Sequence, residues 1–322
     1  MKRMLAVVAG IALLALWGGP GGDGLEAGAQ EANLSEVSRE QFEAWMDELS
    51  NWGRWGDDDE RGVLNLITAE KAAQAGALVQ TGETVSLAHP IGRQPGEAAR
   101  PINTMGALTN RFLVQGDFLF ERQEIAYHGL NLSHIDALCH VSYNGKLYNG
   151  FDFAEVVTED GGCTKLAITT AQGGIVTRGI LLDIPETRIL PSHIEEWEQR
   201  TGITISSGDA LLLRTKRPGV EPDPTNLGGA GYDPALIPFF RERDIALLGA
   251  DIPQEGGNIP GVVIPIHTFT IVALGMNLLD NLALHELAET AARLNRWEFM
   301  LTVEPLRVER GAGSPVNPIA VF

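Results

Sequence analysis

Cysteine is scarce in this chain: Cys139 and Cys163 are the only two in 322 residues. Two thiols cannot build a disulfide framework, and with no CxxC pair there is neither a thiolate zinc motif nor a dithiol redox centre. No GxGxxG or GxxxxGK[ST] run occurs, so nucleotide-binding motifs lend no support. Basic residues are outnumbered, 24 Lys and Arg against 42 Asp and Glu, leaving a formal charge of −18. A surface of that sign repels phosphate backbones, so no nucleic acid is expected as partner. No apolar run reaches the ~20 residues that a bilayer-spanning helix needs, so no stable membrane anchor is expected. What is present is a globular composition, 44 % apolar and 20 % charged, with enough length to bury a core.

The longest apolar run, Met4 to Trp17, follows Lys2 and Arg3 and ends in a Gly-rich breaker; Ala27-Gly-Ala29 then supplies small residues for a cleavage site. That is the layout of a secretory signal peptide over residues 1–29. It predicts export to a periplasm or beyond, with residues 30–322 as a single mature domain. An oxidising compartment would permit a Cys139–Cys163 bond, although the sequence alone does not say whether the two thiols meet.

The mature chain reads as a mixed α/β domain. Helical spacing marks 39–50, 69–79 with Thr68 as N-cap, 192–200, 233–243 and 284–295. β-like runs fall at 84–88, 123–128, 132–143, 175–183, 208–215, 245–250, 262–273 and 297–305. Strands and helices alternate only in part, which argues against a regularly wound nucleotide-binding sheet. Residues 217–231 form the longest Pro/Gly/Asn loop, a lid or a plain surface loop.

Chemistry concentrates in Tyr127-His-Gly-Leu-Asn-Leu-Ser-His-Ile-Asp-Ala-Leu-Cys-His140, which holds three of the seven histidines. On an extended strand His134 and Asp136 leave the same face with Cα atoms roughly 6.5 Å apart. An imidazole and a carboxylate so placed can converge on one ion through bonds of ~2.0–2.2 Å. His128 and His140 share that parity. A straight strand would carry His140 ~13 Å past Asp136, so the chain must bend or coil there for His140 to join. In a helical turn, residues 136 and 140 would face the same way. The competing reading is that strand histidines sit at the surface or are hydrogen-bonded in the core. Against it, burying so many polar groups among Ile135, Ala137, Leu138 and Cys139 without partners would cost about a few kcal/mol each. A metal or a proton-transfer site resolves that conflict. Cys139, of odd parity, points away and reads as small core packing.

His134-Ile-Asp136-Ala-Leu-Cys-His140 resembles the core of the His-Xaa-Gly-Thr-His-Xaa-Asp-Xaa-Xaa-Xaa-His motif of the cyclase family, which includes bacterial kynurenine formamidase and isatin hydrolase. Arg178–Asp183, Gly208–Thr215 and Leu248–Asp251 are similar to that family's recurrent strands. His267 followed by Leu279-Asp-Asn-Leu282 resembles its second ligand pair, and Gly313–Ala320 its terminal segment. The Trp-Gly-Arg-Trp-Gly opening at 52–56 and Leu64–Thr68 suggest a longer-chain branch. The resemblance implies a mixed β-sheet domain of the swivelling β/β/α type. It makes His134, Asp136, His267 and Asp280 metal ligands and His140 the acid/base residue. The family's first motif histidine falls on Leu130, which cannot ligate; His128 takes its place if the chain bulges there. The usual glutamate is Asp280, one methylene shorter. One ion or two therefore both remain open, zinc or manganese by donor type.

The activity so implied is hydrolysis of an activated amide, formamide, lactam or lactone of a small molecule. Trp52 and Trp55 are candidates to stack on an aromatic substrate ring, plain packing being the alternative. Two other functions stay in play: a lyase or cyclase working through an enolate with His140 as base, and a binding protein with a degenerate site. Family members are usually oligomeric, which suggests a homo-oligomer.

Overall fold

Four short runs dominated by leucine, isoleucine and alanine organise the structure, a computed structural model that describes residues 35–91, 108–130, 132–217 and 228–322. The expected signal peptide over 1–29 and residues 218–227 of the long loop lie outside the described residues. In chain order the principal elements are α1 (Arg39–Glu48), α2 (Ala69–Gly76), β1 (Thr84–Ser86), β2 (Leu108–Gln115), β3 (Phe118–Ile125), β4 (His134–Asp136) and β5 (Ile175–Leu182). There follow α3 (Pro191–Thr201), β6 (Ala210–Leu213), β7 (Leu247–Ala250), β8 (Leu278–Asp280), α4 (His285–Leu294), β9 (Glu298–Val303), β10 (Gly313–Pro315) and β11 (Ile319–Val321).

Nine strands make one mixed sheet in the order β1-β11-β9-β5-β6-β7-β8-β4-β10. The middle four, β5 to β8, run parallel, and every other neighbouring pair is antiparallel. Parallel strands are covered on both faces, which is why β6, β7 and β8 read Ala-Leu-Leu-Leu, Leu-Leu-Gly-Ala and Leu-Leu-Asp with no polar alternation, all buried. Leucine favours helices in isolation, but burial against both neighbours outweighs that preference here. Covering elements are read from their own faces: Ile194 and Trp197 of α3 and Leu287, Ala288 and Ala291 of α4 are buried. Thr68 caps α2 as its position predicts, its hydroxyl accepting from the Lys71 amide. Gly62 packs its backbone on Gly275 at φ +55°; a Cβ there would stand 1.9 Å from the Gly275 carbonyl oxygen.

Two sequence expectations need correction. Residues 262–273 do not form a strand: Pro265–His267 is a helical turn that continues as a π-helix, Thr268–Leu274. That stretch is buried almost throughout, so its apolar residues carry no periodicity to separate helix from strand. The run 132–143 keeps only the three residues of β4, and the chain turns immediately afterwards, the His140 amide donating to the Ala137 carbonyl.

Cys139 and Cys163 are joined in a disulfide, Cα atoms 6.3 Å apart, so Cys139 is not mere core packing. The bond staples the turn that carries His140. With a sequence separation of 24, loop-closure entropy gives it about 3 kcal/mol of stability. Replacing both cysteines by alanine is expected to lower the unfolding free energy by about that amount in urea titrations. Among the described residues no helix is long and apolar enough to cross a membrane.

Candidate metal centre

The sheet register brings the chemistry together. β4 runs against β8, so His134 lies opposite Asp280 and Ile135 opposite Leu279. On the other side of β4, Gly313 pairs with Asp136. Asp280 closes β8 at the C-terminal edge of the parallel strands, the edge where open α/β sheets place their ligand sites. Asn281 follows in the left-handed region at φ 55°, its side-chain amide donating to the Gly129 carbonyl at 2.6 Å. That bond ties the loop carrying His128 to the end of β8. The Asp136 carbonyl accepts from the Asn277 side-chain amide at 2.7 Å.

Asp136 is the hub. Its Oδ1 stands 3.4 Å from His128 Nε2, 3.6 Å from His134 Nε2 and 4.0 Å from His140 Nε2; its Oδ2 stands 3.8 Å from His267 Nε2. Neither Asp136 Oδ1 nor His128 Nε2, both buried, has a hydrogen-bond partner. Orphaned buried polar atoms are costly. Two ligands bound to one ion at ~2.0–2.2 Å with tetrahedral angles stand ~3.4 Å apart, which His128 matches and His134 approaches, while His267 and His140 stand farther off. Two candidate groups result, His128–Asp136–His140 and His134–Asp136–Asp280, sharing Asp136.

Orientation of the rings supports this donor set. His134 Nδ1 lies 2.7 Å from the Leu132 carbonyl and donates to it, which leaves the Nε2 lone pair facing Asp136. His267 is delivered by the turn after Ile264, a β-branched residue at φ 45°, a conformation that costs about 1–3 kcal/mol and is held only where the surroundings impose it. Glu255 accepts from the His267 backbone amide at 2.9 Å and contacts His267 Nδ1 at 2.7 Å, turning Nε2 toward Asp280 Oδ2 at 3.1 Å. Gln254 donates to Asp280 Oδ1 at 3.0 Å. Neither Gln254 nor Glu255 was identified from sequence. Their signal was positional, an acid and an amide just beyond the C-terminal end of β7.

The electrostatics are those of a cation site. Three carboxyls, Asp136, Glu255 and Asp280, are buried, and among the described residues their ion-pair partners are imidazoles alone. Burial alone would push the Asp136 carboxyl up, but His140, His128, His134 and His267 outweigh it and hold the group well below the usual carboxylate range. Burial would lower His267, yet Asp280 and Glu255 hold it well above the ordinary histidine value. Burial pushes His140 down, against the pull of Asp136 and with the help of the neighbouring imidazoles. His140 stacks on the ring of His128, centroids 4.2 Å apart and planes 2° from parallel. Tyr127 also packs on the His128 ring, centroids 4.4 Å apart, and burial and Asp136 push its hydroxyl up to about 12.

All of His128, His134, Asp136, His140, His267 and Asp280 thus meet. Trp52 and Trp55 are engaged elsewhere. The Trp52 indole donates to the Val272 carbonyl at 2.7 Å on the helical segment after His267, and its ring lies against Gly150. Trp55 is covered by the Arg54 guanidinium, 4.7 Å from its ring.

Metal-ligating histidines depend on the group that holds their other ring nitrogen. Glu255→Gln keeps size and loses the charge facing His267 Nδ1. It is expected to weaken metal affinity about 10- to 100-fold, measured by competition with a chromogenic chelator.

Residues 62–255 match the family model described as putative cyclase. No curated protein matches the chain. A solved structure described as a novel cyclase aligns with TM-score 0.73 and 28 % identity, covering 86 % of this chain and 99 % of its own. Isatin hydrolase A from Ralstonia solanacearum aligns with TM-score 0.50 and 17 % identity over 78 % of this chain and 95 % of its own. An isatin hydrolase bound to the product analogue thioisatinate aligns with TM-score 0.50 and 19 % identity over 79 % and 99 %. At these identities the two isatin hydrolases share the fold.

Proposed function

This chain belongs to the cyclase family, and we propose that within it the chain is an exported metal-dependent hydrolase of an activated amide, formamide, lactam or lactone. One observation carries the reading: a buried carboxylate with an orphaned oxygen, ringed by four imidazoles, at the C-terminal edge of the parallel strands. His128, His134 and Asp136 would hold an ion, with Asp136, His267 and Asp280 offering a second position or completing the first. A divalent ion with this nitrogen and oxygen donor set, zinc or manganese, supplies Lewis acidity toward water and a carbonyl when bound.

The chain's own residues do the rest. His140 is the farthest imidazole from Asp136 and, at 30 % side-chain exposure, the most open. Its Nε2 takes a proton from the attacking water and returns it to the leaving nitrogen or oxygen. Stacking on His128 fixes its plane, and the Cys139–Cys163 bond fixes its backbone. Tyr127 stays uncharged and fills the flank of His128. The disulfide is compatible with export.

Turnover of a panel of aryl formamides, lactams and lactones in ¹⁸O-labelled water tests the reaction class. Hydrolysis places one labelled oxygen in the carboxyl product. A product without label supports the lyase or cyclase reading instead, with His140 acting on carbon, and stoichiometric binding without turnover supports a binding protein.

A further inference from the structure

Arg214, Lys216 and Arg217 follow closely on one another just past β6, in a chain whose formal charge is −18. Two of these cations share one acid. Asp183, just past β5, lies 3.5 Å from Arg214 Nη1 and 3.0 Å from Arg217 Nη2. Arg214 also donates to the Lys216 carbonyl at 3.2 Å and contacts His285 Nδ1 at 3.2 Å. The second acid at this edge, Asp251, is buried, and its bonds run to neutral donors. Its Oδ1 accepts from the Thr215 amide at 2.9 Å and the Thr215 hydroxyl at 2.6 Å, its Oδ2 from the Lys216 amide at 2.8 Å. Asp251 therefore fixes the backbone of Lys216 and leaves its side chain untouched. Lys216 is half-buried, and among the described residues its ammonium has no carboxylate partner. Withdrawing a charge from water without a counter-charge is costly.

This edge is the one that carries the metal centre. Leu213 of β6 lies opposite Ala250 of β7, and Gly249 of β7 opposite Leu279 of β8. The end of β6 and Asp280 are thus two strand spacings apart, roughly 10 Å. His89 links the two places. Its amide donates to Ser133 Oγ at 3.0 Å, and the Ser133 hydroxyl donates to the Asn281 carbonyl at 2.6 Å. Ser133 and Asn281 are the chain neighbours of His134 and Asp280. The half-buried His89 ring in turn lies within the field of Lys216: burial pushes it down, and the ammonium pushes the same way against Asp251.

We infer that Lys216 anchors a carboxylate on the substrate, so that the site prefers anionic amides or lactones over neutral ones. Three cations meet two acids here, one acid is satisfied by neutral donors, and the cation left over stands beside the metal centre. An ammonium is a compact charge with rotatable donors, suited to a carboxylate that approaches from solvent. On an acidic molecule such a spot also draws an anion to the one place that accepts it. The inference rests on the hydrolase reading of the metal centre and adds the substrate class.

4-Formamidobenzoate and its uncharged counterpart 4-formamidobenzamide are the probes, with Kd read by calorimetry and kcat and KM by formate release. The purified wild-type chain is expected to bind the carboxylate about 10- to 100-fold more tightly than the carboxamide, the gain of a charge-assisted hydrogen bond. Lys216→Met should bring the two probes to within about threefold, the loss falling on KM rather than kcat. Lys216→Arg should retain most of the preference, and added salt should shrink it in wild type. Lys216→Gln is a second neutral replacement should the methionine variant misfold; both keep the backbone amide that Asp251 holds. A preference that survives in the neutral variants, equal affinities in wild type, or failure to bind either probe would overturn the inference. Calorimetry needs no turnover. A chain that binds the carboxylate through Lys216 but hydrolyses neither probe therefore contradicts the hydrolase reading and leaves the anion site standing.

Discussion

His140→Ala is expected to lower kcat by about 10²- to 10⁴-fold, the range that a positioned general acid/base contributes, while the metal content stays at the wild-type value. His140 reaches the cluster through the turn after β4, its Nε2 4.0 Å from Asp136 Oδ1, beyond the 3.4 and 3.6 Å of His128 and His134. Its place at the open side of the cluster suits a residue that exchanges protons with substrate. Elemental analysis beside steady-state kinetics separates the roles. Loss of metal together with activity would make His140 a ligand, as its presence in one of the two candidate groups allows. Unchanged turnover would remove it from the chemistry altogether.

Asp136→Asn is the second large effect. The substitution keeps the shape and removes the charge around which four imidazoles gather. Because Asp136 belongs to both candidate groups, its loss should empty both, whereas His134→Ala touches only one. Turnover is expected to fall by on the order of 10³-fold or more, since water and carbonyl activation are lost together. Added zinc or manganese at micromolar concentration should not restore it. Restoration by added metal would mean that His128, His134, His267 and Asp280 suffice without the carboxylate.

Much of this site was readable from residue spacing. His134 and Asp136 share a strand face, and the need for a bend before His140 followed from strand geometry alone; the structure supplies it as a turn closed by the His140 amide on the Ala137 carbonyl. Parity points to His128, but the route by which it arrives is different. Residues 126–130 form a loop rather than a bulged strand, and Asn281 holds that loop by the Gly129 carbonyl. Such a long-range tie leaves no local pattern. Family resemblance points to His267, but its element is illegible, because a run buried on nearly every side has no amphipathic period. Glu255 and Gln254 stayed hidden for a third reason: their roles exist only once β7 and β8 lie side by side. Most of the hairpin also escapes the pattern, the expected run 123–128 meeting β3 only at 123–125, since its apolar residues face outward on both sides and mimic neither a core strand nor a polar loop.

Metal content of the purified chain tests most directly whether Asp136 and its imidazoles hold a divalent ion. Elemental analysis at known protein concentration is expected to give one or two equivalents of zinc or manganese per chain, reduced in His134→Ala. A chain that carries less than about 0.1 equivalent and takes up neither ion on incubation would contradict the account, and the cluster would then be a hydrogen-bonded core without a metal.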